Sequence, residues 1–226
     1  MTETALRLQA VTERIARAAE ACGRDPRGVK LVAVSKTKPA TAIREAYEAG
    51  QRAFGENYAQ ELATKAEELK ELTDLEWHFI GHLQSNKARL IVKVARVVHT
   101  VDTAGLAREL GKRAAQAGAP RLAVLVEVNV AREAQKFGVA PEDLEEVLAA
   151  VMAEPSLALR GLMTVPPDGG RDVARRVFET LATLRTVHGG NERLPELSMG
   201  MSGDLEEAVA SGATIVRVGT AIFGGR

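Results

Sequence analysis

Cysteine, aromatic residues, excess charge and long apolar runs are all scarce in this chain, and each scarcity removes a class of protein. The single cysteine, Cys22, cannot close an intramolecular disulfide, which fits a reducing compartment. Basic and acidic residues balance at 30 each, so no net field draws in nucleic acid or an anionic membrane. Any anionic ligand must therefore be captured by local geometry. No apolar stretch approaches the ~18 residues of a membrane span. The opening "MTETALRLQAVTERIARAAEACG" is charged throughout and lacks the apolar block of a secretory signal. Cytoplasm is the expected compartment. What is present, 46% hydrophobic residues in a chain of 226, suffices for a substantial core. With no linker, repeat or low-complexity tract to divide it, a single domain over 1–226 is expected.

The first segment reads as a helix, with Leu6, Val11, Ile15 and Ala18 at helical spacing and Gly23 as a stop signal. After it, short apolar runs alternate with amphipathic stretches. The runs are "VKLVAVSK", "RAFGEN", "WHFIG", "VVHTVD", "LAVLVEVN", "ALRGLMT", "ELSMGM" and "TIVRVGTA". Helices are expected at about 39–50, 57–72, 86–96, 103–118, 141–153, 171–188 and 203–212. Continuous apolar runs suit parallel strands covered on both faces. Eight of them in βα alternation predict an α/β fold, a single (β/α)8 TIM-like barrel. The sequence ends at "AIFGGR", too soon after the eighth run for an eighth helix or a C-terminal β-domain, and the extra N-terminal helix is expected to cover that gap. A doubly wound open sheet is the alternative.

In either architecture ligands gather at the carboxyl ends of the strands. Polar and small residues cluster there: Lys36, Asn57, His82, Asp102, Asn129, Thr164, Met201, Ser202, Gly219 and Thr220. Lys36 directly follows "LVAVS", which puts a primary amine at the mouth, suited to condense with an aldehyde. Most strand-end lysines are merely solvated, and Lys38, beside Pro39, is expected to be one of these. The stretch "SMGMSGDLEEAVASGATIVRVGTAIFGG" puts Ser202 and Gly203 at the start of a helix, with Asp204 and Glu207 spaced like a capping box. Together with Gly219 and Thr220 this suggests a phosphate cradle after strands 7 and 8. Ordinary turn chemistry is the blander explanation for the same residues. Arg217, two residues before Gly219, should point into the barrel, where it needs a core carboxylate or a ligand atom as acceptor.

The motifs "VAVSKTKP", "FGENYAQE", "WHFIGHLQSNK", "VNVAREAQKFG", "GLMTVPP", "LSMGMSGDLEEAV" and "VRVGTAIFG" together resemble the pyridoxal phosphate homeostasis proteins, a family similar to the barrel domain of alanine racemase. The resemblance runs from about residue 30 to the end. It implies pyridoxal 5′-phosphate (PLP) held as a Schiff base on Lys36, with its phosphate at Ser202, Gly219, Thr220 and the backbone around Met201. It also implies Arg217 facing the pyridine nitrogen, and Asn57 with Met163 or nearby strand-end residues lining the ring. Gln135 departs from the pattern, where a small hydroxyl residue is expected.

An arginine cannot protonate the pyridine nitrogen as a carboxylic acid would, so the ring is a weak electron sink and transaminase-like chemistry is disfavoured. A racemase needs a base on each face of the substrate carbon, and the only tyrosines are Tyr47 and Tyr58. The resemblance therefore implies a non-catalytic carrier, without catalytic residues, that delivers PLP to PLP-dependent apoenzymes. A small amino-acid racemase is the alternative, and a Schiff-base lyase working without PLP is a third reading. A monomer is expected. His78 and His82 stand four apart, a spacing that aligns metal ligands on a helix but not on a strand, so no metal is expected. The basic run Lys87, Arg89, Lys93 and Arg96 reads as a solvated face or a docking patch.

Overall fold

Runs that bury both faces need a cover, and helices with a single apolar stripe supply one. In the computed structural model, which describes residues 2–118 and 120–225, the eight runs close into one parallel barrel in chain order. The strands are β1 (Lys30–Val34), β2 (Ala53–Glu56), β3 (Glu76–Phe79), β4 (Val97–Val101), β5 (Leu122–Glu127), β6 (Leu157–Met163), β7 (Glu196–Ser198) and β8 (Ile215–Val218). The helices are α1 (Glu3–Ala21), α2 (Ala40–Glu48), α3 (Ala59–Glu68), α4 (Ala88–Ile91), α5 (Ala104–Ala117), α6 (Leu144–Met152), α7 (Arg171–Val187), α8 (Gly190–Arg193), α9 (Leu205–Ala210) and α10 (Thr220–Phe223). The open-sheet alternative fails because β1 pairs with β2 on one side and with β8 on the other, from Lys30↔Ile215 to Ala33↔Val218.

The first helix closes the outer ring. Thr2 caps it by accepting a hydrogen bond from Ala5 N, and Gly23, at φ +69°, ends it. Its buried stripe is Leu8, Val11, Ile15 and Ala19. Each large aliphatic side chain buried there contributes roughly 1.5–3 kcal/mol. The helix packs against α2, α9 and α10, the place where a full eighth barrel helix would lie. α10 itself is a single turn of four residues.

The main core is a shell between sheet and helices, with Phe54, Phe79, Leu110, Leu148 and Phe178 fully buried in it. Inside the barrel, Val32, Ala53 and Ile215 form a separate small cluster. Side chains two apart on a strand share a face, so Arg217 joins Ile215 in the interior. His78, His99 and Ser198 are buried as well. No helix among the described residues is long and apolar enough to cross a membrane.

Several boundaries differ from expectation. β1 stops at Val34, β7 at Ser198 and β8 at Val218, so Lys36, Met201 and Ser202 lie in the loops beyond, Gly219 caps α10 and Thr220 begins it. Ladder pairing ends where the chain must splay to form the mouth. The helix expected at 86–96 shrinks to a 3-10 turn (Ser85–Lys87) followed by α4, and that expected at 203–212 shrinks to the six residues of α9.

Candidate functional site at the barrel mouth

A cavity of about 420 Å³ opens at the carboxyl ends of the strands, and Lys36, Asn57, Met201, Ser202, Arg217, Gly219 and Thr220 all line it. Lys36 is half-buried, two residues past β1. The backbone around it is tied down from α3. Lys65, buried in the last turn of α3, places Nζ 2.7 Å from each of three acceptors: Ser35 O, Glu56 Oε1 and Glu61 Oε1. Glu61 Oε1 also accepts from Thr37 N at 2.6 Å, and Ser35 Oγ donates to Glu56 Oε1 at 2.6 Å. Thr37 has φ +63°, an uncommon conformation for a β-branched residue, which the surrounding hydrogen bonds must hold. Desolvation raises the pKa of the Glu56 carboxyl, opposed by Lys65 and Ser35.

Opposite Lys36, two loops bring backbone donors together. The N–H groups of Ser202, Gly203, Gly219 and Thr220 have no acceptor among the described residues. Each loop is fixed from behind. Arg14 of α1 donates to Ser202 O at 2.8 Å while forking onto Glu206, and Asp204 Oδ1 accepts from Met201 N at 2.6 Å. The expected capping box is therefore absent, because Asp204 turns back to the Met201 loop and gives α9 no side-chain cap. Gly219 is needed for close approach: a Cβ there would sit 3.0 Å from Val34 O on the strand leading to Lys36. Gly81 plays the same part for Asn57, whose carbonyl a Cβ would meet at 2.0 Å. Asn57 Oδ1 is buried without a hydrogen-bond partner.

Arg217 is 4% exposed and does point inward. Its acceptors are neither a carboxylate nor a ligand: Nη1 donates to Ser198 Oγ at 2.7 Å and Nη2 to Thr164 O at 3.0 Å. Desolvation lowers its pKa to about 10, with Glu127 opposing, so the guanidinium stays cationic at neutral pH. Glu127 is driven the other way, up to about 7, by burial first and by the Asp102 charge second, while Arg217 opposes the rise. A larger cavity, about 1030 Å³, lies at the opposite end of the barrel beside α1. Two of the charged groups on its wall, Lys30 and Glu76, are already paired at 2.8 Å.

The family model for the alanine racemase N-terminal domain matches residues 6–226. The chain is 50% identical to the pyridoxal phosphate homeostasis protein of Pseudomonas aeruginosa, over 100% of this chain and 97% of that one. It is 46% identical to the Escherichia coli K12 protein of the same name, over 100% and 98%. The chain belongs to the pyridoxal phosphate homeostasis protein family. Among solved structures it resembles PipY of Synechococcus elongatus with PLP bound, at TM-score 0.81 and 41% identity, over 93% of this chain and 100% of that one. Alanine racemase of Corynebacterium glutamicum shares the fold, at TM-score 0.67 and 19% identity, over 97% of this chain and 62% of that one.

Within this family member, some residues lie elsewhere than expected. Lys38 lines the cavity half-buried and donates to Gly225 O at 2.8 Å, instead of standing in solvent. Met163 is buried in β6 away from the cavity, and Val165, two residues on, lines it. Gln135 is exposed, bonded to Glu133, and does not reach the cavity. Tyr58 is 54% exposed and does not line it either. His82 stacks on Phe137, while His78 turns into the barrel and meets His99. Sequence reasoning missed Lys65 and Arg14. The i, i+4 pair Glu61–Lys65 was a visible signal for the first, and nothing local marked the second.

Proposed function

We propose that this chain binds PLP at the barrel mouth and acts as a single-domain carrier for it, handing it to PLP-dependent apoenzymes without substantial catalysis of its own. The observation that carries the reading is convergence: the Lys36 and Lys38 amines, the buried Arg217 cation and four backbone N–H groups without acceptors among the described residues share a single cavity. The fit is good. Backbone N–H groups in two glycine-containing loops suit a phosphate, and the unpartnered Asn57 Oδ1 offers a polar contact to a ring substituent. PLP supplies an aldehyde that condenses reversibly with a primary amine, and Lys36 would offer that amine. Ser202, Gly203, Gly219 and Thr220 would hold the phosphate, Met201 would shape its loop, and Arg217 would face the pyridine nitrogen.

The ionisable groups lining the cavity, among the described residues, are Lys36, Lys38 and Arg217. All are basic side chains, and no carboxylate, histidine or tyrosine accompanies them. That set favours holding an anion over shuttling protons between two faces of a substrate. The test is the visible absorbance of purified protein mixed with PLP and desalted, for wild type and Lys36→Ala. A retained chromophore in the first and its loss in the second are expected. The same bound chromophore in both would remove Lys36 from its role, and measurable amino-acid turnover would favour a racemase.

A further inference from the structure

A file of hydrogen-bonded side chains runs through the barrel beneath the cavity, and the proposed function uses only its first member. Arg217 Nη1 lies 2.7 Å from Ser198 Oγ, Ser198 Oγ lies 2.8 Å from His99 Nδ1, and His99 Nε2 lies 2.8 Å from His78 Nδ1. All four residues are buried. His78 Nε2 has no hydrogen-bond partner and sits 3.8 Å from Glu76 Oε2, beyond hydrogen-bond reach, at the amino end of β3.

The direction of every link follows from the donor inventory. A guanidinium only donates, so Ser198 Oγ accepts from Arg217, and among the described residues the one acceptor within reach of its own proton is His99 Nδ1. His99 Nδ1 is then an acceptor, which leaves the proton of the neutral ring on Nε2, donating to His78 Nδ1. His78 in turn carries its proton on Nε2, towards Glu76. A protonated His99 would aim a second donor at Ser198 Oγ and leave the hydroxyl proton without an acceptor among the described residues. Burial works against that state, since desolvation lowers the pKa of both imidazoles. All the bonds point one way.

We propose that Ser198 and His99 are positioning residues for Arg217, and that the Arg217–Ser198–His99–His78 relay fixes the guanidinium through neutral partners so that its charge is left for the cavity. The other anchor, Thr164 O, is neutral too. A carboxylate in place of Ser198 would cancel that charge and compete with any ligand atom. The consequence for PLP rests on the function proposed above, whereas the proton order in the relay does not.

The first measurement is long-range 1H–15N correlation of the imidazoles in the full-length labelled protein, without added PLP, at pH 7–8. Neutral rings protonated on Nε2 are expected for both His99 and His78. A proton on Nδ1 of His99, or an imidazolium, would overturn the relay. The second is PLP affinity by spectroscopic titration. Ser198→Ala should bind about tenfold more weakly, for the loss of one charge-assisted bond. Ser198→Thr should restore binding to within about twofold, because it returns the hydroxyl. His99→Phe should match Ser198→Ala, with partial rescue in His99→Asn, which keeps an acceptor towards Ser198. Unchanged affinity in Ser198→Ala would refute the positioning role. Should wild type bind no PLP, the cavity reading fails while the ring tautomers still decide the relay. They also decide it if Ser198→Ala does not fold.

Discussion

Glu127 gives the sharpest test of the electrostatics inside the barrel. Its carboxyl is buried at the end of β5, and its Oε2 has no hydrogen-bond partner. Desolvation, aided by Asp102 and opposed by Arg217, lifts its pKa from 4.5 to about 7. Between those two values the folded chain holds a proton that the unfolded chain has released. Stability contributed by this group is therefore full below about pH 4.5 and declines as the pH rises through 7. At 1.36 kcal/mol per unit, the loss above pH 7 is on the order of 3 kcal/mol. Glu127→Gln keeps the shape and cannot ionise. Relative to wild type it should be near neutral at pH 5 and more stable at pH 8 by that amount, or roughly 6–12 °C in Tm for a chain of this size. Urea unfolding of both proteins at several pH values measures the difference, and comparison at each pH cancels the other titrating groups. A difference that stays flat between pH 5 and 8, within about 0.5 kcal/mol, would show that Glu127 ionises normally and is solvated in the folded state.

Other substitutions test the frame around the cavity. Lys65→Met strands Glu56 in the core and frees the Ser35–Thr37 segment, so it should cost about 3–5 kcal/mol by denaturant unfolding. Gly219→Ala forces a Cβ to within 3.0 Å of Val34 O, so the Gly219 segment and the end of β1 must part; PLP titration should show binding weakened by about tenfold or more, with smaller effects on thermal unfolding. Tyr58→Phe removes an exposed hydroxyl outside the cavity, and both stability, within about 0.5 kcal/mol, and PLP affinity should stay unchanged.

Much of the architecture could be read from the chain because it is local. Each of the eight apolar runs announces a buried strand, and Val11 and Ile15 announce the helix that covers the gap, although Leu6, expected on its apolar stripe, is exposed and Leu8 is buried in its place. Lys36, Gly219 and Thr220 were legible for a related reason: in a parallel barrel, whatever follows a strand faces the mouth. What stayed hidden depends on tertiary approach. Lys38 looks like any solvated lysine until Gly225 is brought beside it. Asp204 looks like a helix cap, but the Met201 N–H competes for its carboxylate and wins. His78 and His99 are 21 residues apart and touch only because β3 and β4 are neighbours with both side chains turned inward. Arg14 reaches Ser202 across 188 residues, a contact that no window on the sequence contains.

For a carrier, retention and release pull in opposite directions, and the arrangement of donors bears on how both are met. A bidentate arginine on the phosphate would bind it strongly. In the proposed site the cradle would be made of neutral backbone N–H groups, and Arg217, the one buried arginine among the described residues, is held by Ser198 and Thr164. Tight retention would then fall largely to the reversible bond at Lys36, which a competing amine can undo. Rigidity replaces charge in the rest of the site. Arg14 and Asp204 lock the two loops proposed to hold the phosphate, and Lys65 locks the segment that bears Lys36, so little ordering would remain to be done if the cofactor enters or leaves there. A site built in this way can discriminate by shape and by the spacing between amine and anion cradle, while leaving the hold itself chemically reversible.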